Sequence, residues 1–156
     1  MKFQYGILIL ILGLFWACGS GSDSSQTDTI TSEDSLVKGA VTYVDLSDPL
    51  EQALVKEGKA IYNAQCISCH YLDTALLNGP GWAGITNRRD ADWIMNMILN
   101  VNVMLEVDSV AHQLLQDSDM KMPDQGLSVD KARAVLEFMR ENDLEQTGKK
   151  DEGVKG

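Results

Sequence analysis

The chain has 156 residues and a formal net charge of −10, from 13 basic and 23 acidic side chains. This length suits one domain with additional terminal segments. A nucleic-acid-binding protein needs a basic surface, so the acidic balance argues against nucleic acid as a partner.

The first 17 residues have the layout of a secretory signal. Lys2 precedes an apolar run at 7–16, which is shorter than the ~20 residues of a transmembrane span. The run ends just before Cys18, which follows an alanine and precedes Gly and Ser. This ending resembles a bacterial lipoprotein signal, in which the cysteine becomes the first mature residue and is acylated. We predict a signal peptide at 1–17, lipidation of Cys18, and a periplasmic location anchored to a membrane through that residue. The alternative is an uncleaved N-terminal anchor.

Residues 18–47 are rich in Ser, Thr, Asp and Gly and poor in large apolar side chains. A segment of this composition cannot bury enough surface to offset the entropy lost on ordering. We therefore predict that lipidated Cys18 is followed by a flexible tether, with a typical end-to-end distance on the order of 30 Å. Within it, Val41, Tyr43 and Val44 either form a short strand or pack onto the folded domain.

Four amphipathic patterns predict an all-α domain at 48–143. The first opens at Asp48, which can cap a helix, and Pro49 suits the first helical position. Glu51 completes a capping box. One face of this helix is expected to carry Leu50, Leu54, Gly58, Ile61 and Tyr62.

Three further helices are predicted, each opened by a capping residue. Asp90 is expected to cap the second helix, Asp108 the third and Ser128 the last. The predicted core-facing residues of these helices are Trp93, Ile94, Met97, Ile98, Val101, Ala111, Leu114, Leu115, Ala132, Val135, Leu136 and Met139. Residues 71–88 are predicted to be loop, and 144–156 are predicted to form a charged, disordered tail.

The segment Cys66-Ile67-Ser68-Cys69-His70 has the C-x-x-C-H spacing that attaches c-type haem. Two thiols at this spacing can add to the two vinyl groups on one edge of a porphyrin. His70 is then held beneath the iron as its proximal ligand. A domain of about 95 residues is small for a stable apolar core, and a bulky covalent cofactor would supply its centre. The motif predicts one covalent haem c.

Other uses of the paired cysteines fit less well. A zinc site needs about four ligands, and the domain has no second cysteine pair and one further histidine, His112. A thioredoxin-like pair would follow a strand in an α/β pattern, which this sequence lacks. An exported chain could close the pair as a disulfide, but the adjacent His70 favours haem.

Residues 49–143 resemble the class I monohaem cytochromes c. The stretch at 58–70 is similar to the N-terminal helix and haem motif of mitochondrial cytochrome c. Gly79-Pro80 resembles the family's loop in which the proline carbonyl holds the proximal histidine, and Met122-Pro123 resembles its methionine-ligand loop. The resemblance implies a cytochrome c fold with four main helices around the haem, and an iron bound by His70 and Met122. It also implies a close helix crossing of Gly58 and Tyr62 against Val135 and Phe138.

The same resemblance implies roles for residues around the haem. Arg88, Arg89 and Trp93 resemble residues near the haem propionates, which a guanidinium and an indole N–H could stabilise. The alternative is a surface charge pair beside a core tryptophan. Trp82 is expected to pack near the proximal side of the haem.

The second axial ligand has three candidates. Met122 has the loop context and chain distance of the family's ligand, Met120 stands two residues earlier, and His112 would give bis-histidine coordination. Four other methionines at near-helical spacing are expected to fill the core: Met95, Met97, Met104 and Met139. A thioether ligand favours ferrous iron and raises the potential.

Six protein-fixed ligands leave no open position for a substrate, so an electron carrier is expected rather than an enzyme. The expected partners are respiratory redox proteins, with a quinol-oxidising complex as donor and a terminal oxidase or reductase as acceptor. The arginine-rich middle segment looks similar to cytochromes that serve copper nitrous-oxide reductases. The alternatives are a haem enzyme or a gas or redox sensor with a labile sixth ligand, a fixed haem subunit of a larger respiratory complex, and a haem-free module.

Charge gives a weaker indication of how such partners dock. The domain at 48–143 carries 8 basic and 15 acidic residues, a net charge of −7. Docking of a basic haem edge to an acidic partner is therefore in doubt. Lys59, Arg88, Arg89 and Lys121 could still form a local basic rim.

Overall fold

The computed structural model describes residues 40–118 and 120–153. Within these ranges the chain forms helices and no strand, so the all-α prediction is confirmed. The helices are α1 (Gln52–Ile61), α2 (Ile85–Arg88), α3 (Ala91–Leu99), α4 (Val101–Val107), α5 (Ser109–Gln116) and α6 (Val129–Thr147), with a π-helical turn at Tyr62–Cys66. None of these helices is long and apolar enough to cross a bilayer. The predicted signal peptide at 1–17 and Cys18 lie outside the described residues.

The crossing of α1 and α6 forms the centre of the fold. Gly58 lies at this crossing, where a Cβ atom would overlap the Ala134 carbonyl and come within 2.9 Å of the Phe138 Cβ. Only glycine permits this approach of the two backbones. The predicted crossing is thus present, but Ala134 rather than Val135 meets Gly58. Tyr62 contacts Phe138 as expected, with ring centroids 5.5 Å apart.

Two apolar clusters surround this crossing. The main core contains Val55, Tyr62, Trp82, Ile94, Met95, Ile98, Ala132, Val135, Leu136, Phe138 and Met139. A second cluster joins α4 and α5 and contains Val101, Met104, Leu105 and Ala111. Met95, Met104 and Met139 are buried in these clusters as predicted, whereas Met97 is half-buried.

The segment 41–47, predicted as part of the tether, packs onto the domain. The Val41 N–H donates to Asn96 Oδ1 at 2.9 Å, and Asn96 Nδ2 donates to the Val41 carbonyl at 2.8 Å. Val44 and Leu46 pack against the main core. Of the two alternatives for this segment, packing applies, and the tether boundary predicted at 47 lies too far along the chain.

Helix α1 begins later than the capping box predicts. Its N-cap is Glu51, whose side chain makes no capping hydrogen bond. The Glu51 N–H instead donates to Glu137 Oε1 at 2.9 Å, so a carboxylate from α6 satisfies the start of α1. Asp48, the predicted cap, has its carboxylate 3.4 Å from Lys150 Nζ, and the Asp48–Pro49 peptide is cis.

The second predicted helix is divided at Asn100. Its φ of −131° and ψ of 35° interrupt the helix between α3 and α4. Val101 therefore begins α4, although it is buried as predicted. Asp108 and Ser128 cap α5 and α6 as predicted, each accepting from the backbone N–H three residues later, at 2.8 and 3.4 Å. Asp90 is the N-cap of α3 but makes no side-chain capping bond.

The C-terminal segment, predicted as disordered from 144, is ordered as far as 153. Helix α6 extends beyond the predicted domain end, and the chain then returns to α2. The Gly153 N–H donates to the Thr86 carbonyl at 2.9 Å. Arg140 Nη2 pairs with Asp151 Oδ2 at 2.7 Å. The disordered-tail prediction is wrong here because the charge of Asp151 has a buried partner on α6.

Candidate functional site

The π-helical turn Tyr62–Cys66 leads α1 directly into the cysteine motif. The Cys66 carbonyl accepts the backbone N–H groups of Cys69 at 3.0 Å and His70 at 2.9 Å. This tight turn puts both sulfurs and the imidazole on the wall of one cleft. Both cysteines are free thiols. Single π-helical turns occur frequently at functional sites.

His70 is oriented by a hydrogen bond to the Pro80 backbone. Its Nδ1 lies 2.8 Å from the Pro80 carbonyl oxygen. Because a carbonyl only accepts, Nδ1 carries the proton and Nε2 keeps a lone pair for a metal. Burial lowers the pKa of His70, and the bond to Pro80 partly offsets this. The residue is therefore poised as a neutral ligand with one available nitrogen.

Gly79 allows this orientation by leaving space beside the imidazole. A Cβ at this position would lie 2.8 Å from His70 Nδ1 and 2.9 Å from Nε2, closer than side-chain atoms pack. The Gly79 N–H donates to the Cys69 carbonyl at 2.8 Å. The glycine thus fixes its own loop against the motif while making room for the ring.

The cleft beside the motif is large and mainly apolar. It contains about 1340 Å³ of space not filled by protein, counting its open mouth. Its wall is formed by Gln65, Cys66, Ser68, Cys69, His70, Asn78, Gly79, Pro80, Gly81, Trp82, Ile85, Trp93, Ile94, Met97, Ile98, Leu105, Leu114, Leu115, Ser118, Met120, Lys121, Met122, Pro123, Gln125, Leu127, Val135 and Met139. Such a lining suits a flat apolar group with few polar contacts.

Trp82 packs against His70 and the main core. Its ring centroid lies 5.8 Å from that of His70 and 4.9 Å from that of Tyr62. The tryptophan therefore supports the imidazole from the side of the core. This is the proximal position that the sequence comparison implied.

The three candidates for the second ligand are placed differently. Met122 and Met120 both line the cleft. Met122 is half-buried against the α4–α5 cluster, whereas Met120 is 55% exposed. His112 does not line the cleft, and its two ring nitrogens lie 3.3 Å from the Leu105 carbonyl and 3.1 Å from Gln116 Nε2. The arrangement favours Met122 and argues against His112.

Trp93 presents an unsatisfied donor at the cleft. Within the described part of the chain, its indole Nε1 is the buried side-chain nitrogen without a hydrogen-bond partner, and the residue lines the cleft. Leaving such a donor unpaired costs about 1–3 kcal/mol, so a bound acceptor is expected there. The Arg89 guanidinium lies 5.3 Å from the Trp93 ring centroid and adds positive charge. An anionic group, such as a haem propionate, fits this pair.

Arg88 does not join that pair. Its Nη1 donates to the Ala83 carbonyl at 2.7 Å, and the residue is not part of the cleft wall. The prediction that Arg88 binds the cofactor is therefore not supported. Successive positions at the end of the short helix α2 point in different directions, and Arg89 is the one directed to Trp93.

The donor groups of the described residues do not form a different metal site. Within 40–118 and 120–153, no three His, Cys, Asp or Glu side chains are grouped so that they could hold a metal ion. A zinc site of about four such ligands is therefore not supported. The thiol pair, the oriented imidazole and the unsatisfied indole together fit a covalently bound haem.

Two contacts of the site were not predicted. The Tyr62 hydroxyl donates to the His70 carbonyl at 2.8 Å, although Tyr62 was expected only at the helix crossing. The steric role of Gly79 toward the imidazole was also missed. A tyrosine four residues before the first motif cysteine was the available signal, but the π-helical turn that directs it toward His70 has no evident mark in the sequence.

Comparisons with known proteins agree with this geometry. The family described as cytochrome c matches residues 55–143. A solved cytochrome c from Rhodothermus marinus is 37% identical, with a TM-score of 0.66, and the match covers 69% of this chain and 92% of that one. An engineered Rhodothermus marinus cytochrome c, Rma TDE, is 36% identical over 67% of this chain and 90% of that one, with a TM-score of 0.64. The same engineered protein bound to a carbene intermediate gives the same identity and coverage and a TM-score of 0.62. No curated protein matches the chain.

Proposed function

The chain belongs to the cytochrome c family, whose cofactor is a covalent iron-containing haem c, and from that premise we propose a one-electron carrier with iron bound by His70 and Met122. The observation that carries this proposal is the hydrogen bond from His70 Nδ1 to the Pro80 carbonyl. It leaves Nε2 available in a cleft that Met122 also lines.

The two thiols of the motif would attach the haem. Burial and the nearby Cys69 raise the pKa of the Cys66 thiol to about 11, so Cys66 stays protonated at neutral pH. Addition of each thiol to a vinyl group forms one C–S bond, and the thiol hydrogen ends on the other vinyl carbon. No atom is released, and the haem remains fixed beside His70.

The bound haem supplies an Fe(III)/Fe(II) couple, and the protein holds its surroundings constant. His70 is fixed by Pro80 and by packing on Trp82. The largely apolar wall excludes water from the ligand side. With both axial positions taken by side chains, neither oxidation state requires a ligand to enter or leave. Such a site suits electron transfer and disfavours chemistry on a bound substrate.

The sequence supports a location outside the cytoplasm. A signal peptide at 1–17 and acylation of Cys18 would anchor the carrier to a membrane facing the periplasm. The tether would keep the domain near membrane partners and raise their effective concentration. We infer a quinol-oxidising complex as donor and a terminal oxidase or reductase as acceptor, with nitrous-oxide reductase as one candidate acceptor. Replacement of Cys18 by alanine should move the protein from the membrane fraction to the soluble fraction.

The proposed function is tested on purified protein matured with the haem-attachment machinery. A pyridine haemochrome spectrum should report one covalent haem, and a redox titration should follow a reversible one-electron curve. The reduced protein should not bind carbon monoxide readily. A colourless product would refute the haem assignment, and ready binding of carbon monoxide would indicate an enzyme or sensor with an open sixth position.

A further inference from the structure

We propose that the exposed apolar residues around the cysteine motif form the face that docks this carrier on its redox partner, and that this partner presents an uncharged, apolar surface. The apolar face consists of Ile67, Tyr71, Leu76 and Leu77. The proposal rests on the proposed electron-transfer function and adds the chemistry of the partner surface.

The apolar face is more exposed than large apolar side chains usually are. The exposed fractions are 48% for Ile67, 43% for Tyr71, 64% for Leu76 and 37% for Leu77. All four lie within 67–77. In the rest of the described chain, the exposed large apolar residues are separated in sequence: Tyr43, Val107, Met120, Val129 and Leu144. Exposed apolar groups that are concentrated in this way mark interaction sites, whereas single ones need no explanation.

The apolar face surrounds the point where the haem is attached. Ile67 lies between the two motif cysteines, and Tyr71 follows His70. The Leu77 N–H donates to the Gly79 carbonyl at 3.2 Å, and the Gly79 N–H donates to the Cys69 carbonyl at 2.8 Å. The leucine loop is therefore fixed against the motif itself. Because electron transfer slows steeply with distance, a partner gains most by docking beside the attached porphyrin edge.

Charge at this face differs from charge elsewhere on the domain. Segment 67–82 contains one formally charged side chain, Asp73, whose carboxylate accepts the Ala75 N–H at 2.8 Å. The whole domain at 48–143 carries 8 basic and 15 acidic residues. Charge complementarity steers partners toward oppositely charged surfaces, and this face offers almost no charge to match. An uncharged partner surface is the one that it complements.

The basic rim considered from the sequence does not supply an alternative docking surface. The Lys59 ammonium lies 5.9 Å from the Phe138 ring centroid. Arg88 is bonded to the Ala83 carbonyl, and Arg89 stacks on Trp93. Of the four residues, Lys121 is the one that lines the cleft. A single lysine is a weak basis for electrostatic docking.

The test uses the haem-loaded protein on gold electrodes coated with thiols ending in methyl, carboxylate or amine groups. The methyl surface imitates an apolar partner. We expect the fastest electron exchange there, with less than a twofold change in rate between low salt and roughly 1 M salt, where the Debye length is about 3 Å. The double variant Leu76→Ser/Leu77→Ser should slow this exchange at least tenfold. The control variant Val107→Ser/Val129→Ser removes apolar side chains that are each 55% exposed and should leave the rate unchanged.

Other outcomes would overturn the docking proposal. Fastest exchange on a charged surface with strong salt dependence would indicate electrostatic docking. Equal rates for the two double variants would show that the apolar face is not used. A Cys18→Ser form that sediments with phosphatidylcholine vesicles, but not after Leu76→Ser/Leu77→Ser, would make a membrane the occupant. Failure of the proposed function itself would appear separately, as an irreversible titration with soluble mediators or as carbon monoxide binding.

Discussion

The side chain of Glu137 on α6 accepts the backbone N–H of Glu51 at the start of α1, 2.9 Å away across 86 positions of the sequence. Glu137 is fully buried and also pairs with Arg133 and Arg140 on its own helix. Arg140 in turn pairs with Asp151 in the C-terminal segment. One buried carboxylate therefore connects the first helix, the last helix and the segment that follows it.

We expect Glu137→Ala to lower the free energy of unfolding by about 3–5 kcal/mol, because removing one partner of a buried ion pair leaves the other charge uncompensated. The start of α1 also loses its acceptor. Denaturant unfolding of the haem-loaded protein measures the change. Glu145→Ala, at an exposed position of the same helix, serves as the control. A loss below about 1 kcal/mol, the level of an exposed pair, would contradict this account.

The same network predicts a loss of stability in acid. Burial opposes ionisation of Glu137, but hydrogen bonds from the Glu51 N–H and two arginines outweigh it and lower its pKa. The pKa of Asp151 is lowered in the same way, chiefly by Arg140. A carboxyl group with a lower pKa in the folded state stabilises the fold above its unfolded pKa and loses that contribution as pH falls through its folded pKa. Urea midpoints should therefore decline below about pH 4. Glu137→Gln should reduce the slope of that decline.

Replacement of Met122 by alanine should remove the methionine-to-iron charge-transfer band of the ferric protein. The reduction potential should fall by on the order of 100 mV, since the thioether favours ferrous iron. Absorption spectra and redox titration measure both effects. Met120→Ala is the matched control, because Met120 lines the same cleft but is more exposed. If Met120→Ala alone removed the band, the ligand assignment would be reversed.

Gly79→Ala should displace the His70 imidazole, because the new methyl group would lie within 2.9 Å of Nδ1 and Nε2. The expected result is a lower yield of haem-loaded protein and a changed ligand-field spectrum. Asn78→Ala tests the neighbouring position, where only a 3.4 Å hydrogen bond to the Ser68 carbonyl is lost. Similar haem yields from the two variants would rule out the steric role of Gly79.

Trp93→Phe tests whether the buried indole N–H has an acceptor in the haem-loaded protein. Loss of a hydrogen bond to a charged group should lower the free energy of unfolding by about 1.5–3 kcal/mol. The reduction potential should shift while the methionine band stays. Denaturant unfolding and titration provide the readouts. Unchanged or increased stability is the result expected of an unpartnered N–H, and it would exclude the proposed propionate contact.

Local chemistry made much of this fold predictable from the sequence. Asp108 and Ser128 cap their helices through N–H groups three residues away, so the sequence contains both partners of each contact. The C-x-x-C-H motif likewise sets cysteine and histidine within one turn. Loop 79–80 required the family resemblance, which placed the Pro80 carbonyl at His70 in agreement with the structure.

Errors arose where a residue's partner is distant in the sequence. The late start of α1 depends on Glu137, and the order of segment 149–153 depends on Arg140. Both are charged residues in the middle of α6, where a sequence pattern predicts solvent exposure. Arg88 and Arg89 are adjacent and chemically identical, so only the backbone at the end of α2 decides which of them meets Trp93.

The π-helical turn at Tyr62–Cys66 fixes the rotational phase of the haem motif relative to α1. It accommodates one more residue per turn of hydrogen bonding than an α-helix. Deleting a single residue there would restore regular α-helical winding and rotate everything that follows by about 100° about the helix axis. Both sulfurs and the imidazole would then turn away from the cleft, even though the C-x-x-C-H spacing would be intact. The segment before the motif is therefore constrained in length as well as in composition.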